Sequence, residues 1–266
     1  MYKTYFGLRE KPFGKTPDPR FLFLSSGHEE ALARLEYAVE EREIALLTGD
    51  VGCGKTTLSR ALMDRCGRRC RFVMIFNPRM DPLEFLRSVA HGLELGEPAR
   101  TKDDLLRQIT GRLYELYRDG VCPVLVIDEA QTISDLGVFD EIRLLTNYQL
   151  DEHNLLAVLI MGQPELRDVL RYHPLEPLRQ RISLHYHLHP LSLDETMEYL
   201  DFRVVAAGGS AGLFTPDALQ AIHELSGGVP RRINTLATNA LLVAYGNDAA
   251  MVDASIVMEV KDEVIL

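Results

Sequence analysis

Gly49-Asp50-Val51-Gly52-Cys53-Gly54-Lys55-Thr56 constrains this chain more than any other stretch, because it satisfies G-x-x-x-x-G-K-[ST] at every fixed position and stands between the apolar run 44–47 and the helical pattern TLSRALMDR. The glycines let the backbone turn its N–H groups inward, and the following helix start adds a partial positive charge, so this pattern cradles phosphates. Within it Lys55 places a charge on the β- and γ-phosphates of a nucleotide, and the Thr56 hydroxyl ligates Mg²⁺. The expected nucleotide-binding set is therefore Gly49, Asp50, Val51, Gly52, Cys53, Gly54, Lys55, Thr56 and Thr57. A glycine-rich turn with a chance lysine is the alternative, and the strand–loop–helix context argues against it.

Such a loop needs a strand before it and a helix after it, and the surrounding pattern supplies a whole α/β domain. Apolar runs IALLTG, RFVMIFNP, VCPVLVIDEA, LLAVLIMGQ and ISLHYHLHPL alternate with amphipathic segments, and nearly continuous apolar runs mean strands buried on both faces of a parallel sheet. Two helical patterns, DPLEFLRSVAHGLEL and TKDDLLRQITGRLYELYRDG, lie between the second and third runs. After about residue 191 the strand signal ends, and four helical patterns follow, over LSLDETMEYLDFRVVAAGG, TPDALQAIHELSGG, PRRINTLATNALLVAYG and DASIVMEVKDEV. Ahead of the sheet, Ser26 with Glu29 three residues later reads as a capping box opening a helix over 27–41. Three zones result: 1–43, an N-terminal segment and helix packing on the nucleotide site; 44–191, the α/β core; and 192–266, a small all-helical lid.

The third apolar run ends in Asp128 and Glu129, within VLVIDEAQ. Strand alternation sends adjacent carboxylates to different places, so one can hold the metal's water shell while the other faces the attacking water. Asp128 is assigned to Mg²⁺ and Glu129 to polarising water for attack on a γ-phosphate, which makes the chain an ATPase that converts ATP and water to ADP and phosphate. An isolated Asp-Glu would read as a solvated strand end; behind a phosphate loop the catalytic reading takes precedence.

These motifs, with MGQPEL after the fourth run, LRQRI before the fifth and GGVPRRIN in the tail, resemble the AAA+ ATPases. The opening YFGLREKPF, PDPRFLF and SSGHEEAL further resembles the ATPase region of the general secretion pathway protein A (ExeA-type) family and its pilus-biogenesis and exopolysaccharide-locus relatives. That resemblance implies a P-loop AAA+ core with Walker A and Walker B motifs, a helical lid, and ATP with Mg²⁺ as cofactors. By position it implies Gln163 as a polar sensor between phosphate and water, against a turn-forming residue before Pro164. It implies an arginine finger reaching a neighbouring subunit's nucleotide at Arg179 or Arg181, with Arg181 preferred, against a surface ion pair for either. Arg231 takes the place of a second sensor on the lid. Asn77 either restrains Glu129 as a glutamate switch or simply stops a strand. Phe13, Leu22 and His28 are implied as contacts of the adenine, although Phe13 and Leu22 also suit a core.

A finger acting across an interface implies a homo-oligomer, a ring or filament. The functional expectation is an ATPase that drives or regulates assembly of a cell-envelope machine for secretion, pilus or exopolysaccharide export, with an envelope-assembly protein as partner. The alternatives are a DNA-associated AAA+ regulator of the transposition target-selection type, or a nucleotide-switched scaffold with little turnover. ExeA-type proteins continue into a transmembrane helix and a peptidoglycan-binding region, whereas this chain stops after the helical tail, as a short relative or as the ATPase region of a longer protein.

Composition bounds the rest. The chain has 266 residues, 29 Lys+Arg against 39 Asp+Glu, and a net charge of −10 that disfavours non-specific coating of nucleic acid by a monomer. With 46% hydrophobic and 26% charged residues it is neither disordered nor a coiled coil. Its longest apolar runs have strand length, so no membrane span or secretory leader is expected, and the expected location is the cytoplasm, peripheral at the inner membrane through a partner. Cys53, Cys66, Cys70 and Cys122 are too few and too scattered for a disulfide framework. His185, His187 and His189 alternate as metal ligands might, without a carboxylate or cysteine near them in sequence. Arg65, Arg68, Arg69 and Arg71 form one basic cluster, either a phosphate or acidic-partner contact or a solvated helix end.

Overall fold

The computed structural model describes residues 1–14, 19–150 and 153–264. Its contacts form two compact units, one of Met1–Gly27, Asp50–Thr57 and His189–Leu266, the other of His28–Gly49 and Leu58–Leu188.

The second unit carries five parallel strands, β1 (Ile44–Gly49), β2 (Cys70–Phe76), β3 (Cys122–Asp128), β4 (Ala157–Gly162) and β5 (Ile182–Leu188). They lie in the order β2-β3-β4-β1-β5, so all five expected apolar runs form one sheet. β1 and β4 are buried at every residue and β3 from Pro123 onward, as helices on both faces require. The edge strands β2 and β5 are only partly buried. The longer helices up to β5 include α1 (Ser26–Glu40), α2 (Lys55–Cys66), α3 (Pro82–Gly92), α4 (Lys102–Arg118) and α5 (Leu136–Leu145), with a shorter α6 (Leu166–Leu170). α3, α4 and α5 send Phe85, Leu86, Ile109, Leu113, Phe139 and Ile142 into one apolar cluster with Val73, Ile75, Leu125, Ile127, Val158 and Ile160 of the sheet. Each of these helices starts where a side chain satisfies its free N–H groups: Asp81 and Glu84 in a reciprocal box, Thr101 on Asp104, and Asp135 on Gly137.

In the first unit the four helical patterns of the tail become α7 (Leu193–Ala206), α8 (Pro216–Ser226), α9 (Pro230–Gly246) and α10 (Ala254–Glu259). Pro216 and Pro230 open their helices at positions that need no N–H, and α8 stops at Gly227, whose φ of 61° suits a residue without Cβ. Their core includes Leu200, Ile222, Ile233, Leu236 and Leu241, and it also takes Leu8, Phe13 and Phe21 from the N-terminal segment. The expected 1–43 zone is thereby split after Gly27: its first part packs with the helical tail and only 28–43 belongs with the sheet. Buried Arg203 explains the attachment. Its Nε donates to Pro12 O at 2.6 Å, Nη2 to Gly14 O at 3.4 Å and Nη1 to the Tyr199 hydroxyl at 3.1 Å, while its guanidinium lies 4.9 Å from the Phe21 ring centre.

The expected box between Ser26 and Glu29 gives way to a longer-range one. The Ser26 N–H and hydroxyl both donate to Glu195 Oε1, at 3.1 and 2.7 Å, and Glu195 also closes the box with Ser192 that opens α7. Burial raises the Glu195 carboxyl, but the hydrogen bonds from Ser192 and Ser26 outweigh it and hold the group below its ordinary range.

Candidate functional site

The phosphate loop leaves the sheet at Gly49, which pairs with Leu188 so closely that a Cβ would lie 2.7 Å from Leu188 O. Gly52 and Gly54 then take φ of 90° and 105°, a region that L side chains avoid. The Cys53 N–H donates to Asp50 O at 3.3 Å, and Lys55, 5% exposed, curls back so that its Nζ donates to the same carbonyl at 3.1 Å. The lysine and the inward-turned loop are the chemistry that a phosphate-binding loop of this pattern uses. Burial pushes the Cys53 thiol up, with Asp50 adding to the effect, which leaves it a packing residue of the loop. Arg231 of α9 meets the loop at Gly52: its N–H donates to Gly52 O at 3.3 Å, and a Cβ on Gly52 would stand 2.6 Å from the Arg231 Cβ. The structure thus places Arg231 against the phosphate loop, and Gly52 is glycine partly to admit it.

At the far end of β3, Asp128 is 3% exposed and its Oδ1 accepts the Glu129 N–H at 2.9 Å. Glu129 itself has left the strand. Its φ and ψ of 57° and 38° are left-handed, a conformation that costs an L residue about 1–2 kcal/mol. Thr132 fixes this turn by donating its N–H and hydroxyl to Glu129 O, at 2.9 and 2.8 Å. The Glu129 Oε2 accepts the side-chain amides of Gln131 at 2.6 Å and Gln163 at 3.1 Å, and the Gln163 N–H donates to Gln131 Oε1 at 3.0 Å. Gln163 therefore stands beside Glu129. Gln131 was not among the expected residues, although it is the last letter of the quoted VLVIDEAQ.

Asn77 follows the Phe76–Asp128 pair of β2 and β3 and is exposed with φ of 53°, whereas the Glu129 carboxylate accepts amides from Gln131 and Gln163. Asn77 is the left-handed residue that follows the end of β2. Thr56, the other proposed Mg²⁺ ligand, stands exposed in the first turn of α2. A hydroxyl and a carboxylate are hard oxygen donors, the chemistry that Mg²⁺ prefers.

The arginines before β5 differ in their partners. Arg179 faces Glu176 at 3.7 Å, whereas Arg181 donates from Nη1 to the Thr146 hydroxyl at 3.1 Å and to Arg143 O at 3.5 Å, at the C-terminus of α5. Phe13 is a core residue, edge-to-face on Phe214 with ring centres 6.0 Å apart, and His28 is buried on α1. His187 turns its Nδ1 to the Thr48 hydroxyl at 3.0 Å, and Thr48 also accepts Arg167 Nε at 3.0 Å. In the basic cluster Arg65 pairs with Glu36 at 3.1 Å, Arg69 reaches Arg65 O and Arg71 pairs with Glu94 at 2.5 Å. Among the described residues no helix is long and apolar enough to cross a membrane.

A five-stranded parallel sheet of this order, a phosphate loop after β1, an acidic pair ending β3 and a helical tail bearing an arginine define a P-loop AAA+ protein. A family model described as an AAA domain matches residues 38–170, and the chain belongs to that family. It is 41% identical to general secretion pathway protein A of Aeromonas hydrophila over 92% of this chain, which spans 45% of that relative's length. Among solved structures it resembles Cdc6p of Pyrobaculum aerophilum, with a TM-score of 0.70 at 20% identity over 91% of this chain and 67% of that one. The Aeropyrum pernix ORC2 protein gives 0.71 at 17% over 96% and 71%. The RuvB branch-migration motor of Thermotoga maritima gives 0.60 at 20% over 92% and 73%.

Proposed function

We propose that the chain binds ATP with Mg²⁺ and hydrolyses it, and that the cycle drives or regulates assembly of a cell-envelope secretion machine. The observation that carries the hydrolytic part is the Glu129 carboxylate: a strand-end base in a fixed, left-handed turn, held by two amide donors. In this reading Lys55 and the loop N–H groups take the β- and γ-phosphates, and Thr56 and Asp128 hold the metal. Bound Mg²⁺ neutralises charge developing on the phosphate oxygens. Glu129 accepts a proton from the attacking water, Gln163 senses the γ-phosphate position, and Arg231 reports nucleotide state to the helical tail. An arginine finger from Arg179 or Arg181 of a second copy completes the set, which makes a homo-oligomer part of the proposal. Arg181 would have to leave its Thr146 partner to serve.

The secretion assignment rests on the relationship to general secretion pathway protein A, and an envelope-assembly protein is the partner it implies. The basic cluster that offered a phosphate contact spends Arg65 and Arg71 on acidic neighbours, which weighs against a nucleic-acid face there. The test is Glu129→Gln, expected to keep nucleotide binding while cutting turnover by about 10²-fold or more. Unchanged turnover would remove Glu129 as the base. Stimulation of turnover by duplex DNA, falling steeply with salt, would replace the secretion reading with a DNA-associated one.

A further inference from the structure

We infer that Gln131 is a positioning residue for hydrolysis, a bracket that ties Glu129 to the end of β4 so that the base and the sensor Gln163 move as one. The inference rests on the reading of Glu129 as the water-activating base.

The geometry fixes how the Gln131 amide is turned. A backbone N–H can only donate, so the atom facing Gln163 N at 3.0 Å must be the carbonyl oxygen. The NH₂ then faces the other way, onto Glu129 Oε2 at 2.6 Å, where a carboxylate can only accept. Exchange of the two ends would set donor against donor and acceptor against acceptor, so the side chain reads both neighbours at once. Gln163 closes the triangle by donating its own amide to the same Oε2 at 3.1 Å.

The fold makes room for this bracket. Gly162, the last residue of β4, is where a Cβ would fall 2.7 Å from Gln131 Oε1 and 2.6 Å from Leu166 Cδ2. Glu129 needs such a holder, because its left-handed backbone takes it out of the strand's alternation and the sheet no longer aims its side chain. Thr132 fixes the backbone oxygen of Glu129 but not its carboxylate. Gln131 carries no charge and accepts no proton from water; it acts only through Glu129.

Three variants test this with the purified chain and Mg-ATP. Gln131→Ala is expected to lower kcat about tenfold, the cost of one charge-assisted hydrogen bond of about 1.4 kcal/mol, with KM and the affinity for a fluorescent ADP analogue unchanged. Gln131→Glu keeps the acceptor for Gln163 but replaces the donor with a second carboxylate, and should lose at least as much. In a Glu129→Gln background, single-turnover hydrolysis should be insensitive to Gln131→Ala. A loss carried by KM, a kcat within twofold of the parent, or a further tenfold loss in the Glu129→Gln background would each overturn the bracket. Should Gln131→Ala lower the melting temperature, Gln131→Glu at the parent's stability decides. If Glu129→Gln alone hydrolyses ATP at the parent's rate, the hydrolytic reading falls first and separately.

Discussion

Cys66, Cys70 and Cys122 look scattered along the chain, yet the sheet gathers them. Cys70 and Cys122 are the first paired residues of β2 and β3, and Cys66 ends α2 just before β2. The Cys122 thiol is pulled down to about 7, first by the hydrogen bond from Cys70 and then by Arg42, whose guanidinium lies 4.9 Å from the Tyr117 ring centre. Cys70, which keeps the shared proton, and buried Cys66 are both pushed up. A depressed thiol is deprotonated above its shifted value, so Cys122 reactivity should rise as pH passes upward through 7 and level off by about 8, where an ordinary thiol near 8.5 is still titrating. Timed iodoacetamide labelling with peptide mapping checks this; preferential labelling of Cys66 or Cys70 at pH 7.5 would contradict it. Such gathering is invisible in the sequence because register, not spacing, makes it. The same holds for Gln131: DEAQ was plain to read, but the glutamine's role depends on a left-handed Glu129 and on the end of another strand.

At the level of elements, Arg203 ties the N-terminal segment to α7 through two carbonyls and the Phe21 ring. Replacing it with Met keeps the aliphatic bulk but orphans Pro12 O and Gly14 O, a loss of about 1–3 kcal/mol for unsatisfied buried acceptors. Arg203→Met is expected to release residues 1–14 to limited proteolysis before the remainder is cut, and Arg203→Lys to rescue it poorly, since one ammonium cannot reproduce the planar fork. Protection equal to the parent would show that Leu8, Phe13 and Phe21 hold the segment unaided. The five strands were legible because unbroken apolar runs admit few other uses, and the tail helices because proline and glycine punctuate them. α5 and α6 were not, being 10 and 5 residues long and offering too few turns for a helical period to stand out. The N-terminal segment has no period at all; its partner is chosen by Arg203, far away in sequence.

For the whole molecule, the division of contacts differs from the division of sequence. The phosphate loop lies inside the α/β region as the chain is written, but residues 50–57 make their contacts with the unit that contains the helical tail. A fragment ending at residue 188 should therefore retain a sheet, visible by circular dichroism, while binding a fluorescent ADP analogue about tenfold or more weakly, because Gly52 loses its hydrogen-bonded neighbour Arg231. Full affinity in that fragment would mean that the loop holds its shape alone.

The Gly52–Arg231 contact also sets an order of events in synthesis. The loop emerges from the ribosome before α9, and domains tend to fold from the N-terminus as they appear. Until α9 has been made, the glycine-rich loop is present but unbraced by Arg231. A nucleotide bound as proposed would therefore also act as a ligand for the finishing of the fold, favouring the closed loop once α9 arrives, in proportion to its concentration over its dissociation constant.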